Sequence, residues 1–192
     1  MSQSKILAFA GSTRRNSFNR QVLQIAVAGA RAAGADVTVV DLKDYPLPLM
    51  NEDLEREEGT PEAATQLKQL FFENDGLLIA SPEYNSSITP LLKNTIDWVS
   101  RKAEGETPLQ AYRGKVAALV SASPGGLGGL RGLVHLRSIL SNIQVTVLPT
   151  QVAISNAAQA FNDEGQLKDT SLQQNVESLG KTLAETVSKL TS

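Results

Sequence analysis

Ile6-Leu7-Ala8-Phe9-Ala10-Gly11-Ser12-Thr13-Arg14-Arg15-Asn16-Ser17-Phe18-Asn19 is the stretch of the chain that decides the fold. Its first five residues are all apolar and end at Gly11, which is typical of a parallel strand buried on both faces. Polar residues follow, and apolar residues then recur at intervals of three and four to about Ala33, which predicts a helix closed by Gly34. A strand, a polar loop and a helix in this order indicate an α/β domain.

The alternation of strand and helix continues along the rest of the chain. Further strands are predicted at 37–41, 76–81, 115–121 and 144–148, and further helices at about 61–74, 87–101, 130–141 and 171–190. Because strands joined in this way need crossover connections, we expect a five-stranded parallel sheet covered by helices on both faces. In the order 2-1-3-4-5, ligands bind in the crevice between strands one and three. Residues 1–192 are expected to form one domain.

Two local features refine this prediction. Thr60 and Pro61 predict the beginning of the second helix, with Pro61 as the first helical residue. The segment before it, 42–60, is rich in proline and acidic residues, and we expect a long irregular loop there. Such loops in compact domains are usually functional or part of an interface.

Composition excludes several classes of protein. The chain has 192 residues and a formal net charge of −2, without a lysine or arginine block, so we expect no nucleic acid partner. It has no cysteine, which excludes disulfides, thiolate catalysis and Cys-ligated metals, so a redox enzyme would need a bound redox cofactor. No apolar run is long enough to span a membrane and the N-terminus does not resemble a signal peptide, so we expect no membrane contact and a cytoplasmic location.

The loop after the first strand has the composition of a phosphate site. It combines hydroxyl, amide and guanidinium groups with the N–H groups of a helix start, supplied by Ser12, Thr13, Arg14, Arg15, Asn16, Ser17 and Asn19. A helix N-terminus favours an anion, and side-chain donors suit the terminal phosphate of a mononucleotide. The P-loop and G-x-G-x-x-G signatures are both absent. In the alternative interpretation a serine caps the helix and the arginines are solvated.

The loop after the third strand, Ser81-Pro82-Glu83-Tyr84-Asn85-Ser86-Ser87, is expected on the other side of the same crevice. Its proline fixes a turn, after which backbone N–H and C=O groups can meet the edge of a planar ligand such as a flavin. Tyr84 could then cover a ring face. The alternative is a plain turn that leads into a helix capped by Ser86 or Ser87.

Several stretches together resemble the NADPH-dependent FMN reductase family, which includes bacterial quinone, chromate and azo-dye reductases. They are Gly11-Ser12-x-Arg14-x-x-Ser17-x-Asn19, Leu47-Pro48-Leu49-Met50-Asn51-Glu52-Asp53, Ser81-Pro82-Glu83-Tyr84-Asn85, Pro90-Leu91-Leu92-Lys93-Asn94-x-Ile96-Asp97-Trp98 and Ser121-x-Ser123-Pro124-Gly125-Gly126. The combination is specific although each piece alone is not, and it spans nearly the whole domain in order.

The resemblance implies a flavodoxin-like three-layer sandwich, with a five-stranded parallel sheet of order 2-1-3-4-5, and a bound FMN. Its phosphate and the approach to it would be held by Ser12, Arg14, Ser17, Phe18 and Asn19, and its isoalloxazine would be lined by Pro82, Glu83, Tyr84 and Asn85. Its other edge would lie near Ser123 and the backbone of Pro124, Gly125 and Gly126. The family also implies NADPH or NADH as co-substrate and a homodimer or homotetramer. Its acceptors are small molecules such as a quinone, free flavin, azo compound or chromate.

The remaining candidate residues have less specific predicted roles. Arg131, beside the glycine-rich stretch 125–132, is a candidate contact for an NADPH phosphate. His135, the only histidine, is expected to be structural, and no metal site is predicted. Lys93 and Asp97 are expected to form a surface ion pair.

Three functions are compatible with these observations. The first is an FMN-dependent NAD(P)H oxidoreductase, for which no catalytic side chain is assigned because the cofactor carries the hydride chemistry. The second is a flavodoxin-type electron carrier, which a net charge of only −2 disfavours because such carriers tend to be strongly acidic. The third is a non-catalytic nucleotide-binding regulatory module.

Overall fold

A computed structural model describes residues 3–191 and contains the parallel sheet that the sequence predicts. The strands are β1 (Lys5–Ala10), β2 (Asp36–Val40), β3 (Gly76–Ala80), β4 (Val116–Ala122) and β5 (Thr146–Ile154). All neighbouring pairs are parallel, and the order is β2-β1-β3-β4-β5. The loops after β1, β3 and β4 therefore meet at one edge of the sheet.

Helices cover both faces of the sheet. They are α1 (Phe18–Ala32), α2 (Glu52–Glu58), α3 (Glu62–Phe72), α4 (Pro90–Ser100), α5 (Leu130–Asn142), α6 (Ala157–Ala160) and α7 (Thr170–Leu190), with a 3-10 turn at Leu42–Asp44. Alternate β1 residues point to opposite sides: Ile6 and Ala8 pack with α1 and α7, whereas Leu7 and Phe9 pack with α3, α4 and α5. Burial on both faces explains why the central strands β1, β3 and β4 are almost continuously apolar.

Helices α1 and α7 cross at glycines. A Cβ atom added at Gly29 would lie 2.0 Å from the Glu177 carbonyl oxygen, and one at Gly180 would lie 1.9 Å from the Ala26 carbonyl oxygen. The two backbones are therefore too close for any side chain at either position. This crossing fixes α1, whose first turn lies at the edge of the sheet that carries the polar loops.

The segment 42–60 is not the irregular loop that the sequence predicts, since it contains the 3-10 turn and α2. The Pro48 carbonyl accepts hydrogen bonds from Trp98 Nε1 (2.7 Å) and Asn94 Nδ2 (2.9 Å), and Asn94 Oδ1 accepts from Met50 N–H (2.8 Å). Helix α2 buries none of its residues, so it has no apolar periodicity that sequence analysis could detect. Trp98 is fully buried in the core.

Several predicted boundaries were also wrong. Helix α3 begins at Glu62, with Pro61 as its N-cap, and α4 is capped by Thr89, which accepts from Leu92 N–H, so neither Ser86 nor Ser87 caps it. Strand β5 extends well past Leu148 because its register with β4 shifts and a bulge accommodates Pro149. Gly34 does close α1, with a φ of +88° directly after the C-cap residue.

Among residues 3–191, no helix has both the length and the apolar character needed to cross a bilayer.

Candidate active site

A cleft of about 290 Å³ lies where the loops after β1, β3 and β4 converge. One wall comes from Ser12, Arg14, Ser17, Phe18 and Asn19, a second from Pro82, Glu83 and Tyr84, and a third from Ala122, Ser123 and Pro124. The structure thus brings together the site residues named from the sequence, apart from Asn85, Gly125 and Gly126, which do not line the cleft.

The first wall presents hydrogen-bond donors without protein partners. Ser17 is the N-cap of α1 and is 3% exposed, yet its hydroxyl caps no N–H group. Within residues 3–191, the N–H groups of Phe18 and Asn19 in the first turn of α1 also donate to no protein acceptor. The first turn of a helix leaves such N–H groups unpaired and the positive end of the helix dipole favours an anion, so this wall is suited to an anionic ligand.

Arg14 adds a positive charge to this wall. Its guanidinium lies 5.2 Å from the centroid of the Phe18 ring, and Phe18 stacks in turn on Phe161, with centroids 6.0 Å apart and planes 4° from parallel. Among the described residues Arg14 forms no ion pair, so its charge is available to a ligand. Sequence reasoning missed Phe161, which lies 143 positions after Phe18 and carries no motif. Arg15 is exposed and outside the cleft lining.

Asn19, which the resemblance places at the phosphate, lines the cleft and also bonds the end of β4. Its Nδ2 donates to the Ala122 carbonyl (2.7 Å), and its Oδ1 accepts from the Ala122 N–H (3.0 Å). The side chain therefore joins α1 to β4. The second Nδ2 hydrogen and the backbone N–H have no partner among the described residues.

Glu83, which the resemblance places beside the isoalloxazine, borders the cleft and is held by α5. Its Oε1 accepts from Arg131 Nε (3.0 Å) and Nη2 (2.7 Å), and its Oε2 accepts from Gly132 N–H (3.0 Å). Burial alone would raise the pKa of this carboxyl, but the hydrogen bonds from Gly132 and Arg131 and the charge of Arg131 outweigh it, so the pKa lies below the ordinary value. Glu83 therefore borders the cleft as an ionised group, and both of its carboxylate oxygens accept hydrogen bonds from α5. Arg131 forms an ion pair with it.

The residues after Glu83 form a tight turn. Tyr84 and Ser87 exchange backbone hydrogen bonds of 2.9 and 3.0 Å, and the two residues between them, Asn85 and Ser86, have φ values of +49° and +69°. This places Asn85 at the tip of the turn rather than in the cleft wall, while Tyr84, 59% exposed, stands at the mouth of the cleft. Ser87 Oγ lies 3.0 Å from His135 Nδ1, so the lone histidine has a structural hydrogen bond.

The glycine-rich stretch divides into two parts. A Cβ added at Gly128 would lie 2.8 Å from the Ile154 carbonyl carbon, and one at Gly129 would lie 2.9 Å from Ser121 Oγ, so packing requires glycine at both. A Cβ at Gly126 would meet nothing within 4 Å, and one at Gly125 only Ser123 Oγ at 3.7 Å. The sequence alone does not separate packed glycines from open ones.

A second depression, of about 260 Å³, adjoins the first wall at the ends of β1 and β2. Arg20 and Asp41 in its lining form an ion pair of 2.9 Å, so their charges are satisfied within the protein. No group of three histidine, aspartate or glutamate residues within 3–191 is arranged to hold a metal ion.

The residues of the cleft fit FMN. The unpaired donors at α1 suit one phosphate, and the turn at 82–84 faces them across the cleft as a border for a planar ring. The loop after β1 lacks the glycine spacing that a pyrophosphate needs.

Comparison with known proteins agrees with this chemistry. Residues 4–159 match the sequence profile of the family described as NADPH-dependent FMN reductase. An NAD(P)H-dependent FMN reductase of Pseudomonas aeruginosa is 39% identical over 166 residues, covering 86% of this chain and 85% of the relative. An NAD(P)H:quinone oxidoreductase of Solanum tuberosum is 37% identical over 175 residues, covering 88% and 86%.

A solved structure shares the fold. The flavoenzyme FerB, an NAD(P)H:(acceptor) oxidoreductase of Paracoccus denitrificans, superposes with a TM-score of 0.80 at 24% identity, over 97% of this chain and 98% of FerB. Profile, relatives and motifs agree over most of the sequence, and the chain belongs to the NADPH-dependent FMN reductase family.

Proposed function

We propose that this protein is an FMN-dependent oxidoreductase that takes hydride from NADH or NADPH and passes it to a small oxidised acceptor, foremost a quinone. The observation that carries the proposal is the set of unpaired donors at the first turn of α1, placed across a cleft from the turn at 82–84. When bound, FMN supplies the hydride-transfer chemistry.

The protein's own residues bind FMN and orient it in the cleft. Ser12, Arg14, Ser17 and the N–H groups of Phe18 and Asn19 hold the phosphate. The backbone of 82–84 would line one edge of the ring, and Ser123 and Pro124 would lie near the other. Tyr84 narrows the mouth of the cleft and limits the access of water. No side chain is assigned as an acid, base or nucleophile, so the protein contributes proximity and polar support.

The relatives support a reductase over the two other functions. The Pseudomonas relative is named for FMN reduction and the potato relative for quinone reduction, and neither name describes an electron carrier or a regulatory module. A quinone is therefore the first acceptor to test, followed by free flavin, an azo compound and chromate.

We also propose that the chain, as one FMN-binding domain, assembles into a homodimer or homotetramer. Leu127, Leu130 and Val134 are 42–53% exposed beside the cleft, and exposed apolar side chains in one region favour an interface. Light scattering of the purified protein tests the assembly. Because the reaction consumes NAD(P)H, we place the protein in the cytoplasm.

The decisive experiment is reconstitution followed by anaerobic reduction. We expect the purified protein to bind one FMN per chain, and the flavin absorbance to bleach when NADH or NADPH is added and to return when a quinone is supplied. A protein that remains colourless with added FMN would refute the proposal. Flavin that binds but does not bleach with either nicotinamide would favour the electron carrier.

A further inference from the structure

Helix α5 holds the cleft-lining turn at both of its ends. At one end, the Glu83 carboxylate accepts hydrogen bonds from Arg131 (2.7 and 3.0 Å) and from the N–H of Gly132 (3.0 Å). At the other end, Ser87 Oγ and His135 Nδ1 lie 3.0 Å apart. Arg131 and His135 are one helical turn apart, so one face of α5 supplies both connections.

The connection at Glu83 is charged and largely buried. The Glu83 side chain is only 8% exposed, and its ion-pair partner Arg131 is 57% exposed. A buried carboxylate needs charged and hydrogen-bonding partners, which here are a guanidinium bound through two nitrogens and the N-terminal turn of a helix. Gly132 allows the close approach, because a Cβ there would lie 3.2 Å from the Ser87 carbonyl oxygen and 3.4 Å from Glu83 Cβ.

The turn needs this support because its backbone is unusual. Asn85 and Ser86 both have positive φ values, a region that residues other than glycine rarely occupy. Such a conformation persists only where the surrounding structure determines it. The placement of residues 82–84 in the cleft therefore depends on α5.

We propose that Glu83 and Arg131 are positioning residues whose ion pair fixes the backbone of 82–84 for the flavin ring. The proposal rests on the proposed function. Two of the five guanidinium N–H donors of Arg131, on Nε and Nη2, are directed at Glu83, so the ion pair orients the guanidinium toward the carboxylate.

The test is a double-mutant cycle with Glu83→Gln, Arg131→Gln and the double variant. For each, FMN affinity and kcat/KM with NADH and with NADPH are measured. We expect each single variant to weaken FMN binding roughly tenfold, the effect of one charge-assisted hydrogen bond. The kcat/KM values for NADH and NADPH should fall by the same factor, and the double variant should be no worse than the poorer single one.

Two further variants serve as a conservative replacement and a distant control for the double-mutant cycle. Arg131→Lys keeps the charge but not the two-pronged geometry, so it should recover part of the FMN affinity, and it remains usable if Arg131→Gln fails to fold. Glu185→Gln breaks the exposed pair Lys181–Glu185 (3.8 Å) on α7, far from the cleft, and should change none of these quantities.

Either of two results would overturn the proposal. A loss of kcat/KM with NADPH that greatly exceeds the loss with NADH would show that Arg131 binds the extra phosphate of NADPH. Unchanged FMN affinity in both single variants would mean that the ion pair does not position the cleft.

A measurement without flavin separates this proposal from the proposed function. In the apoprotein, Arg131→Gln should speed hydrogen exchange at the amides of Tyr84, Ser87 and Gly132, and unchanged exchange there would contradict the positioning role. Wild-type protein that neither binds FMN nor oxidises NAD(P)H would instead refute the proposed function. The hydrogen-exchange measurement would still test the role of the ion pair.

Discussion

The side-chain amide of Asn19 hydrogen-bonds both backbone groups of Ala122, with Nδ2 on the carbonyl at 2.7 Å and Oδ1 on the N–H at 3.0 Å. The two residues are 103 positions apart and both are buried. This pair fixes the first turn of α1, with its unpaired donors, against the strand that leads to Ser123. The Asn19 side chain therefore helps to set the distance between two walls of the cleft that it also lines.

Replacement of Asn19 should lower stability and FMN affinity together. Asn19→Ala leaves both buried backbone groups of Ala122 without these partners, at a cost of about 1–3 kcal/mol each in the free energy of unfolding. Urea denaturation of the apoprotein measures the first effect, and fluorescence titration with FMN measures the second. Asn16→Ala, in the same loop but exposed, should behave like wild type. Equal stability of the two variants would show that the Ala122 bonds contribute nothing.

The predicted role of the first wall of the cleft in phosphate binding can be tested without disturbing the fold. Arg14→Ala combined with Ser17→Ala removes one charge and one hydroxyl from the cleft, and since neither side chain hydrogen-bonds another described residue, the melting temperature of the apoprotein should change little. The FMN dissociation constant should rise by about a hundredfold, as expected for two lost polar contacts with a phosphate.

Arg15→Ala is the matched control for that double variant. Arg15 is adjacent, has the same charge, and is exposed outside the cleft lining, so its removal should leave FMN affinity within about twofold of wild type, the size of a screened surface effect. Similar losses in both proteins would mean that overall charge, and not the cleft geometry, attracts FMN.

The sequence predicted the parts of the site that lie within one loop and missed those that depend on distant contacts. Polar residues after β1 and β3 identified the walls, because parallel strands bring their carboxyl ends to one edge. The partners of Asn19 and Glu83, and the stacking of Phe161 on Phe18, join segments 103, 48 and 143 positions apart, and no local pattern encodes them. Sequence analysis therefore named Asn19 and Glu83 as members of the site but did not identify the protein groups that their side chains bond.

The same reasoning applies to the fold. The central strands β1, β3 and β4 were predictable because they are buried on both faces and are almost continuously apolar. Helix α2 was not, because it buries no residue and is held by Arg101, whose Nη2 lies 2.6 Å from Glu55 Oε2. Contacts of this kind depend on the position of α4, which only the folded chain defines.

The glycine crossing of α1 and α7 should be intolerant of any side chain. Gly180→Ala places a Cβ 1.9 Å from the Ala26 carbonyl oxygen, a backbone atom that cannot move aside as a flexible side chain would. We expect a loss of about 3 kcal/mol or more in the free energy of unfolding, the upper end of overpacking effects. Gly126→Ala, where the added Cβ meets nothing within 4 Å, is the control and should leave the apoprotein as stable as wild type. A fully stable Gly180→Ala would mean that the helices are farther apart in solution.

The hydrogen bond between Trp98 and Pro48 should hold the segment that follows β2. Trp98→Phe keeps an aromatic ring in the core but removes the N–H that donates to the Pro48 carbonyl at 2.7 Å, while Asn94 Nδ2 still donates to it. We expect about 1–2 kcal/mol of lost stability and faster hydrogen exchange at Met50, with little change at β1. Exchange that rises equally in β1 would indicate a general core defect rather than a released segment.

Acid should weaken the fold in part through Glu83. Because burial is outweighed by hydrogen bonds from Gly132 and Arg131, its pKa in the folded protein lies below that in the unfolded chain. The ionised carboxylate therefore stabilises the fold above the unfolded-state pKa, and this contribution disappears as the pH falls through the folded-state pKa. Glu83→Gln has no charge to lose, so the stability gap between wild type and this variant should be largest near neutral pH and should close in acid. Urea denaturation of both apoproteins from pH 7 down to about pH 3 measures the gap, because that range brackets carboxyl titration. A stability gap that stays constant over this pH range would show that Glu83 does not form an ion pair with Arg131 in the folded chain. Neutral hydrogen bonds alone would then have to hold residues 82–87 against α5.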